Sequence, residues 1–194
     1  MLDRDRDRFV GRHDELDGFT RLFEGDDPRR IVHLIGQGGI GKSALLRAVS
    51  RMATTRGIET TWIDGRDMTP FPADAGGALA GIGRSAPALV VFDSYELVTS
   101  LDGHLRDVVI PDLPDSTVIV FASRQPPSPA WFEQGWDTLV QVIGLEPLDE
   151  RSATDLVENF GIDDAAWAQE LIDQSHGSPL ALTVGAESNT FPSS

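Results

Sequence analysis

With 194 residues, 40% of them hydrophobic and 24% charged, the chain is long enough for one sizeable α/β core with a small appendage, too short for two independent cores, and too apolar to remain disordered. It contains no cysteine, which excludes disulfides, zinc–thiolate sites and thiol catalysis. A formal net charge of −15 sets its surface against a phosphate backbone, so no direct nucleic-acid contact is expected through this domain.

The first segment, Met1 to Arg8, alternates Asp and Arg without the apolar stretch of a secretory signal. The longest apolar runs are strand-sized, well short of the roughly 20 residues that cross a bilayer. A cytoplasmic protein without a membrane partner is expected. Arg30 to Ile35 is a short apolar run that stops at a glycine-rich stretch and reads as the first strand. Lys42 to Thr55 follows, with Ala44, Leu45, Ala48, Val49 and Met52 at three-to-four spacing, the pattern of a helix packed on a sheet, closed by Gly57. Ile58 to Ile63 reads as a second strand, Pro72 to Ala86 as a weak, glycine-interrupted helical region, and Ala88 to Phe92 as a fully buried strand. Glu96 to Val109 is compatible with a helix, Thr117 to Ala122 is a further buried strand, and Thr138 to Ile143 follows the proline-rich loop Gln125 to Ala130. This alternation predicts a three-layer αβα sandwich around a parallel sheet of about five strands. After Pro147 the pattern changes to three helices, Asp149 to Asn159, Asp163 to Gln174 and Ser178 to Gly185, with Asp149 and Ser178 as candidate caps and Pro179 suited to a first helical position. The expected division is a core over residues 1–147 and a small helical lid over 148–194, with a tail from Glu187 that lacks a pattern.

The chemistry begins at Gly36-Gln37-Gly38-Gly39-Ile40-Gly41-Lys42-Ser43, which satisfies G-x-x-x-x-G-K-[ST] between a buried strand and an amphipathic helix. Backbone N–H groups must turn inward around phosphate oxygens, with close approaches that a Cβ blocks, and the glycines permit this. The helix that starts near Lys42 and Ala44 aims its unpaired N–H groups at the same anion, and Ser43 offers a hydroxyl to Mg²⁺. Of the 16 basic residues, Lys42 is the single lysine and the rest are arginine. A slender ammonium reaches between β- and γ-phosphates where a planar guanidinium does not fit. ATP or ADP with Mg²⁺ is the expected ligand set.

Asp93 ends the buried strand Ala88 to Phe92, where parallel-sheet proteins place ligands, and is the candidate Walker B ligand to Mg²⁺. Glu96 is the next carboxylate and is either the base that prepares water or a solvated residue in the first turn of a helix. Arg124, just past the strand Thr117 to Ala122, either senses the terminal phosphate, if that strand neighbours the Asp93 strand, or pairs with a surface acid. Asp64-Gly65-Arg66-Asp67 follows the second strand at the ligand-bearing edge and either approaches the nucleotide or a partner or, the favoured reading, is a plain turn. The four histidines show no metal-ligand spacing, and the four tryptophans suit packing better than base stacking.

Phe9-Val10-Gly11-Arg12-His13-Asp14-Glu15-Leu16 resembles the opening VGR box of STAND-type and Orc1-like AAA ATPases. Downstream, VVFDSYEL resembles their Walker B segment, FASRQPPSPAW their sensor-1 strand and loop, and HGSPLAL their GxPLAL box. The resemblance covers essentially the whole chain and implies an AAA+-like module of a bacterial regulatory protein in the STAND/NB-ARC group. It also implies that Phe9, Val10 and Arg12 lie against adenine and that Pro179 closes over the nucleotide. In such proteins ADP bridges core and lid, whereas ATP favours an open form that meets protein partners or its own copies. Ser94 departs from relatives that carry a second acid directly after the Walker B aspartate, while Asp93 and Glu96 keep a D-x-x-E spacing. The function implied is a signalling switch with slow ATP hydrolysis, lodged in a longer architecture. The alternatives are an initiator-type ATPase acting on DNA, which needs a basic surface, and a nucleotide-binding scaffold without turnover. A small-molecule kinase ranks last, because Arg151 is the only strong cation from Glu150 to Ser194.

Overall fold

The computed structural model describes residues 9–69, 87–162 and 164–189. The predicted helical region Pro72 to Ala86 lies outside them, as do the segment Met1 to Arg8 and the end of the tail. Chain order is α1 (His13–Glu24), β1 (Ile31–Ile35), α2 (Lys42–Thr55), β2 (Glu59–Asp64), β3 (Ala88–Asp93), a run of short helical turns from Tyr95 to Asp112, β4 (Val118–Ser123) and β5 (Val140–Gly144), followed by α3 (Glu150–Glu158), α4 (Ala165–Ser175) and α5 (Pro179–Asn189).

The five strands form one parallel sheet in the order β2-β3-β4-β1-β5. The order moves away from sequence order at β1, which lies between β4 and β5 with Ile31 in register with Ile119 on one side and Val140 on the other. Period-two alternation sends successive side chains to opposite faces. Val32, Leu34, Leu89, Val91, Val118 and Val120 pack against Phe19 and Leu22 of α1 and Leu45, Leu46 and Val49 of α2. Their neighbours Ile31, Val90, Phe92, Ile119 and Phe121 face the turns after β3 and the buried Trp131. Both faces are covered, which is why β3 and β4 read as unbroken apolar runs.

The segment Glu96 to Val109 is not one helix. It consists of 3₁₀ turns at Tyr95–Leu97 and Thr99–Leu101, a single α-turn at Asp102–His104, a π-turn at Leu105–Val109 and a 3₁₀ turn at Ile110–Asp112. The buried residues Tyr95, Val98 and Leu101 recur every three positions, and a 3₁₀ winding keeps such a set on one line, where an α-helix rotates it off the sheet. The spacing then changes to four at Leu105 and Val109, and Pro111 ends the run. The N-terminal helix α1 has its own signal in Leu16, Phe19, Leu22 and Phe23, and Gly25 in the left-handed conformation closes it.

Beyond Pro147, α3 to α5 share a separate apolar cluster of Ala153, Leu156, Val157, Phe160, Ile172, Leu182 and Ala186, against which Val10 and Leu148 pack. Asp149 caps α3 by accepting from the Ser152 N–H at 2.7 Å. Asp164 does the same for α4, and Pro179 is the first residue of α5. Trp131 and Trp136 pack inside the fold as expected, while Trp62 on the edge strand β2 stays 39% exposed.

Candidate nucleotide-binding site

The loop between β1 and α2 is fixed at both ends. The Gly36 N–H donates to the Ser123 carbonyl at 3.2 Å, joining the loop to the end of β4. Gly39 and Gly41 have φ of 82° and 98°, values that a side chain strains against. Gly41 is the N-cap residue of α2, so the helix opens directly behind the loop. Lys42 Nζ donates to the carbonyls of Gly36 and Gln37 at 2.6 and 3.0 Å, which holds the ammonium across the loop. Burial pushes its pKa down, opposed by the charges of Glu96 and Asp93, while Arg124 adds to the lowering.

On the floor, the Ser43 hydroxyl donates to Asp93 Oδ2 at 2.7 Å. Asp93 Oδ1 accepts from the Ser94 N–H at 2.9 Å, and its carboxylate is buried. A hydroxyl and a carboxylate so close form a hard oxygen pair that fits Mg²⁺ shared with a substrate phosphate. Glu96 lies in the turn Tyr95–Leu97, with Oε1 3.2 Å from Arg124 Nε and Oε2 accepting from the Arg124 N–H at 3.3 Å. The pairing places the two residues across the mouth of the loop, and the Arg124 guanidinium reaches Gly38, where an added Cβ would lie 3.4 Å from its Cζ. This arrangement follows from β3 and β4 being neighbours.

Two cavities adjoin here. One, about 420 Å³, is lined by Gly38, Gly39, Lys42, Ser43, Asp93, Glu96 and Arg124 and is polar. The other, about 260 Å³, is lined by Phe9, Val10, Arg12, Ile40, Leu148 and Leu156 and is more apolar. They share Gly41, Ala44, Arg47, Pro179 and Thr183 as a common wall. A phosphate chain beside a flat apolar group matches this pair of shapes. Every site residue expected from the sequence lines one cavity or the other except Gly36 and Gln37, whose carbonyls hold Lys42 instead. α5 touches the loop through main-chain atoms, the Leu180 N–H donating to the Gly39 carbonyl at 3.2 Å.

Arg12 borders the apolar cavity, and its guanidinium is committed to protein groups. It donates to the Ile40 carbonyl at 3.1 Å and the Glu146 carbonyl at 2.7 Å and pairs with Glu15 at 3.3 Å. Arg12 therefore ties the N-terminal box to the loop and to the start of the helical segment. Gly11 and Arg12 are both left-handed, and a Cβ on Gly11 would lie 2.7 Å from Ser152 Oγ, so the box can seat on α3 only with glycine there.

Sequence reasoning did not reach Arg47, Arg51, Thr183 or Leu180. A helical signal existed for two of them, because Arg47 lies four residues after Ser43 and Thr183 four after Pro179, one turn along the same faces. Arg66, on the segment that the sequence left between a plain turn and an approach to the nucleotide or a partner, lines the polar cavity. Among the described residues no group of three or more His, Asp or Glu side chains is placed to hold a metal ion by itself. Among the described residues no helix is long and apolar enough to cross a membrane.

A strand–loop–helix phosphate cradle at the C-terminal edge of a parallel sheet defines a P-loop nucleotide-binding domain. The family model for the AAA ATPase domain matches residues 8–173, and the chain belongs to that family. A probable ATPase of Lysobacter enzymogenes is 28% identical over a segment covering 53% of this chain, and the chain spans only 11% of that relative's length. Two variants of Thermotoga maritima RuvB align over 92% of the chain with TM-scores of 0.68 and 0.67 at 15% and 13% identity. The match takes in 61% and 62% of those chains, and at such identity the likeness is one of fold.

Proposed function

We propose that this domain is the ATP- and ADP-binding module of a STAND-like regulatory switch, hydrolysing ATP slowly in the presence of Mg²⁺. The observation that carries the reading is the seat of α5 on the loop. Leu180 bonds Gly39, and Pro179 borders both the phosphate and the base cavities. A ligand filling the two cavities touches core and helical segment together, so its phosphate content bears on how they fit. In this reading residues 1–147 are the core, 148–194 the lid, and the whole is one part of a longer protein.

Loop N–H groups and Lys42 neutralise the phosphates, and Phe9 and Val10 hold the base with Arg12 as their brace. Ser43 and Asp93 hold Mg²⁺, which offsets charge on the phosphate oxygens. Glu96 holds and deprotonates the attacking water once Arg124 turns from it towards the terminal phosphate. While the two remain paired, both Glu96 oxygens are engaged, which suits slow turnover. Partners, among them further copies of the chain, meet the ATP form.

The test is to denature the purified protein, identify any released nucleotide by chromatography, and titrate the emptied protein with ATP, ADP and GTP in Mg²⁺. Bound ADP with GTP rejected is the expected result. Failure to bind any adenine nucleotide overturns the proposal and leaves an interaction scaffold. The net charge of −15 disfavours an initiator acting on DNA, and DNA affinity falling steeply with salt would reinstate it.

A further inference from the structure

The polar cavity gathers four of the 16 basic residues of a strongly acidic chain: Lys42, Arg47, Arg66 and Arg124. Lys42 belongs to the loop, Arg47 to α2 and Arg124 to the end of β4. Arg66 arrives separately, on the turn that follows β2. That turn is fastened to the residue at the centre of the site, since Asp64 is in register with Asp93 and the Gly65 N–H donates to the Asp93 carbonyl at 2.8 Å. A Cβ on Gly65 would lie 2.5 Å from the Ser94 carbonyl oxygen, so only glycine lets the turn lie this close. Asp64 then grips the guanidinium from one side, Oδ1 accepting from Nε at 2.9 Å and Oδ2 from the terminal nitrogen at 2.5 Å, while Oδ1 also accepts from the Arg66 N–H at 2.9 Å.

An exposed Asp–Arg pair two residues apart is ordinarily of little energetic consequence. Two placements set this one apart. Its turn is bonded to the Asp93 main chain, which fixes where the guanidinium sits relative to the candidate Mg²⁺ pair. Arg66 also borders the polar cavity and the adjoining space of about 380 Å³ beside Trp62, but not the apolar cavity. With the base in the apolar cavity and the phosphates along the loop, the phosphate farthest from the base lies on the side that holds Asp93, Glu96, Arg124 and Arg66.

We propose that Arg66, presented by Asp64, is a contact to the terminal phosphate supplied by the chain itself, and that this turn distinguishes ATP from ADP. The inference rests on the nucleotide reading above and adds a residue to it. A guanidinium fixed along one edge by a carboxylate keeps its remaining N–H groups for an anion in front of it, and its planar fork suits two phosphate oxygens. ADP, which ends one phosphate earlier, forgoes the contact.

The experiment measures ATP and ADP affinities of the full chain in Mg²⁺ by calorimetry, for the wild type, Arg66→Ala, Arg66→Lys and Asp64→Asn. Loss of one charge-assisted contact predicts ATP affinity about tenfold weaker in Arg66→Ala, with ADP affinity changed less than about twofold. Arg66→Lys keeps the charge without the fork and recovers part of the loss. Asp64→Asn leaves the cation but loosens its holder, and lowers the ATP-to-ADP preference less than Arg66→Ala does. Equal weakening of ATP and ADP in Arg66→Ala, or no change in either, overturns the inference while the nucleotide reading stands. A wild type that binds neither nucleotide sinks both together.

Discussion

The two halves of the cleft are built in opposite ways. The polar half draws its central residues from a contiguous loop and from the C-terminal ends of two neighbouring strands, and its side chains at the centre, Lys42, Ser43, Asp93, Glu96 and Arg124, are polar or charged. The apolar half is assembled from segments that are distant in sequence, with Val10 from the N-terminal box, Ile40 and Ala44 around the loop, and Leu148, Leu156 and Pro179 from the helical segment. Phosphate recognition needs N–H groups and charge in a fixed local geometry, which a short motif can encode. A flat base needs only an apolar slot, which tertiary packing supplies; the helical segment lends Leu148, Leu156 and Pro179 to that slot, whereas it meets the polar half through α5 alone, at Pro179, Leu180 and Thr183.

Lys42→Ala breaks the polar half outright. Losing the half-buried ammonium predicts a fall in ATP affinity of about 10³-fold by calorimetry, with the thermal melt of the ligand-free protein little altered. Acid acts on the sheet that carries both halves. His33 in β1 is buried between Phe121 and Trp131 with Nε2 unpaired. Burial pulls its pKa down to about 4, with Asp102 opposing. The unfolded chain then binds the extra proton between about pH 6.5 and 4, so stability is full above that window and falls across it by about 3 kcal/mol. Chemical denaturation of His33→Phe, followed over the same pH range, should show that part of the slope removed.

Glu96→Gln sharpens the contrast between binding and chemistry. Nucleotide affinity should hold within about twofold while turnover falls about 10²-fold or more, read by phosphate release, and wild-type turnover would mean that another group prepares the water. The smallest effect tests the apolar half. Arg12→Lys cannot reach the carbonyls of Ile40 and Glu146 and the Glu15 carboxylate together, and should cost about 1 kcal/mol in stability. Its nucleotide affinity should weaken by the same factor for ATP and ADP, because Arg12 braces Ile40 and the N-terminal box and does not line the polar cavity where the two ligands differ.

The buried strands β3 and β4 and the helix α2 were legible because each satisfies a local rule, an unbroken apolar run or a three-to-four spacing. The phosphate loop was legible because glycine, lysine and serine at fixed offsets have one joint physical use. Glu96 to Val109 misled because its apolar residues suit a helix in number, but the buried ones recur every third position up to Leu101 and every fourth only after it. For Asp64-Gly65-Arg66 the sequence left a plain turn ahead of an approach to the nucleotide or a partner, because what separates the two is the register of Asp64 with Asp93, a long-range pairing that composition does not reveal. Arg12 was placed against adenine by resemblance. It lines the apolar cavity, and its hydrogen bonds to Ile40 and Glu146 arise from tertiary closure across 28 and 134 residues, beyond any local pattern.

The bond from the Leu180 N–H to the Gly39 carbonyl makes one amide proton a built-in clock. While α5 rests on the loop that proton is shielded from solvent deuterium, and any movement that lifts the helix exposes it at the first step. Substitution of neighbouring side chains leaves the reporting atoms in place, because both belong to the backbone. Deuterium uptake at this amide, compared with that of the buried Val120 in β4, thus times the parting of the helix from the loop separately from unfolding of the sheet.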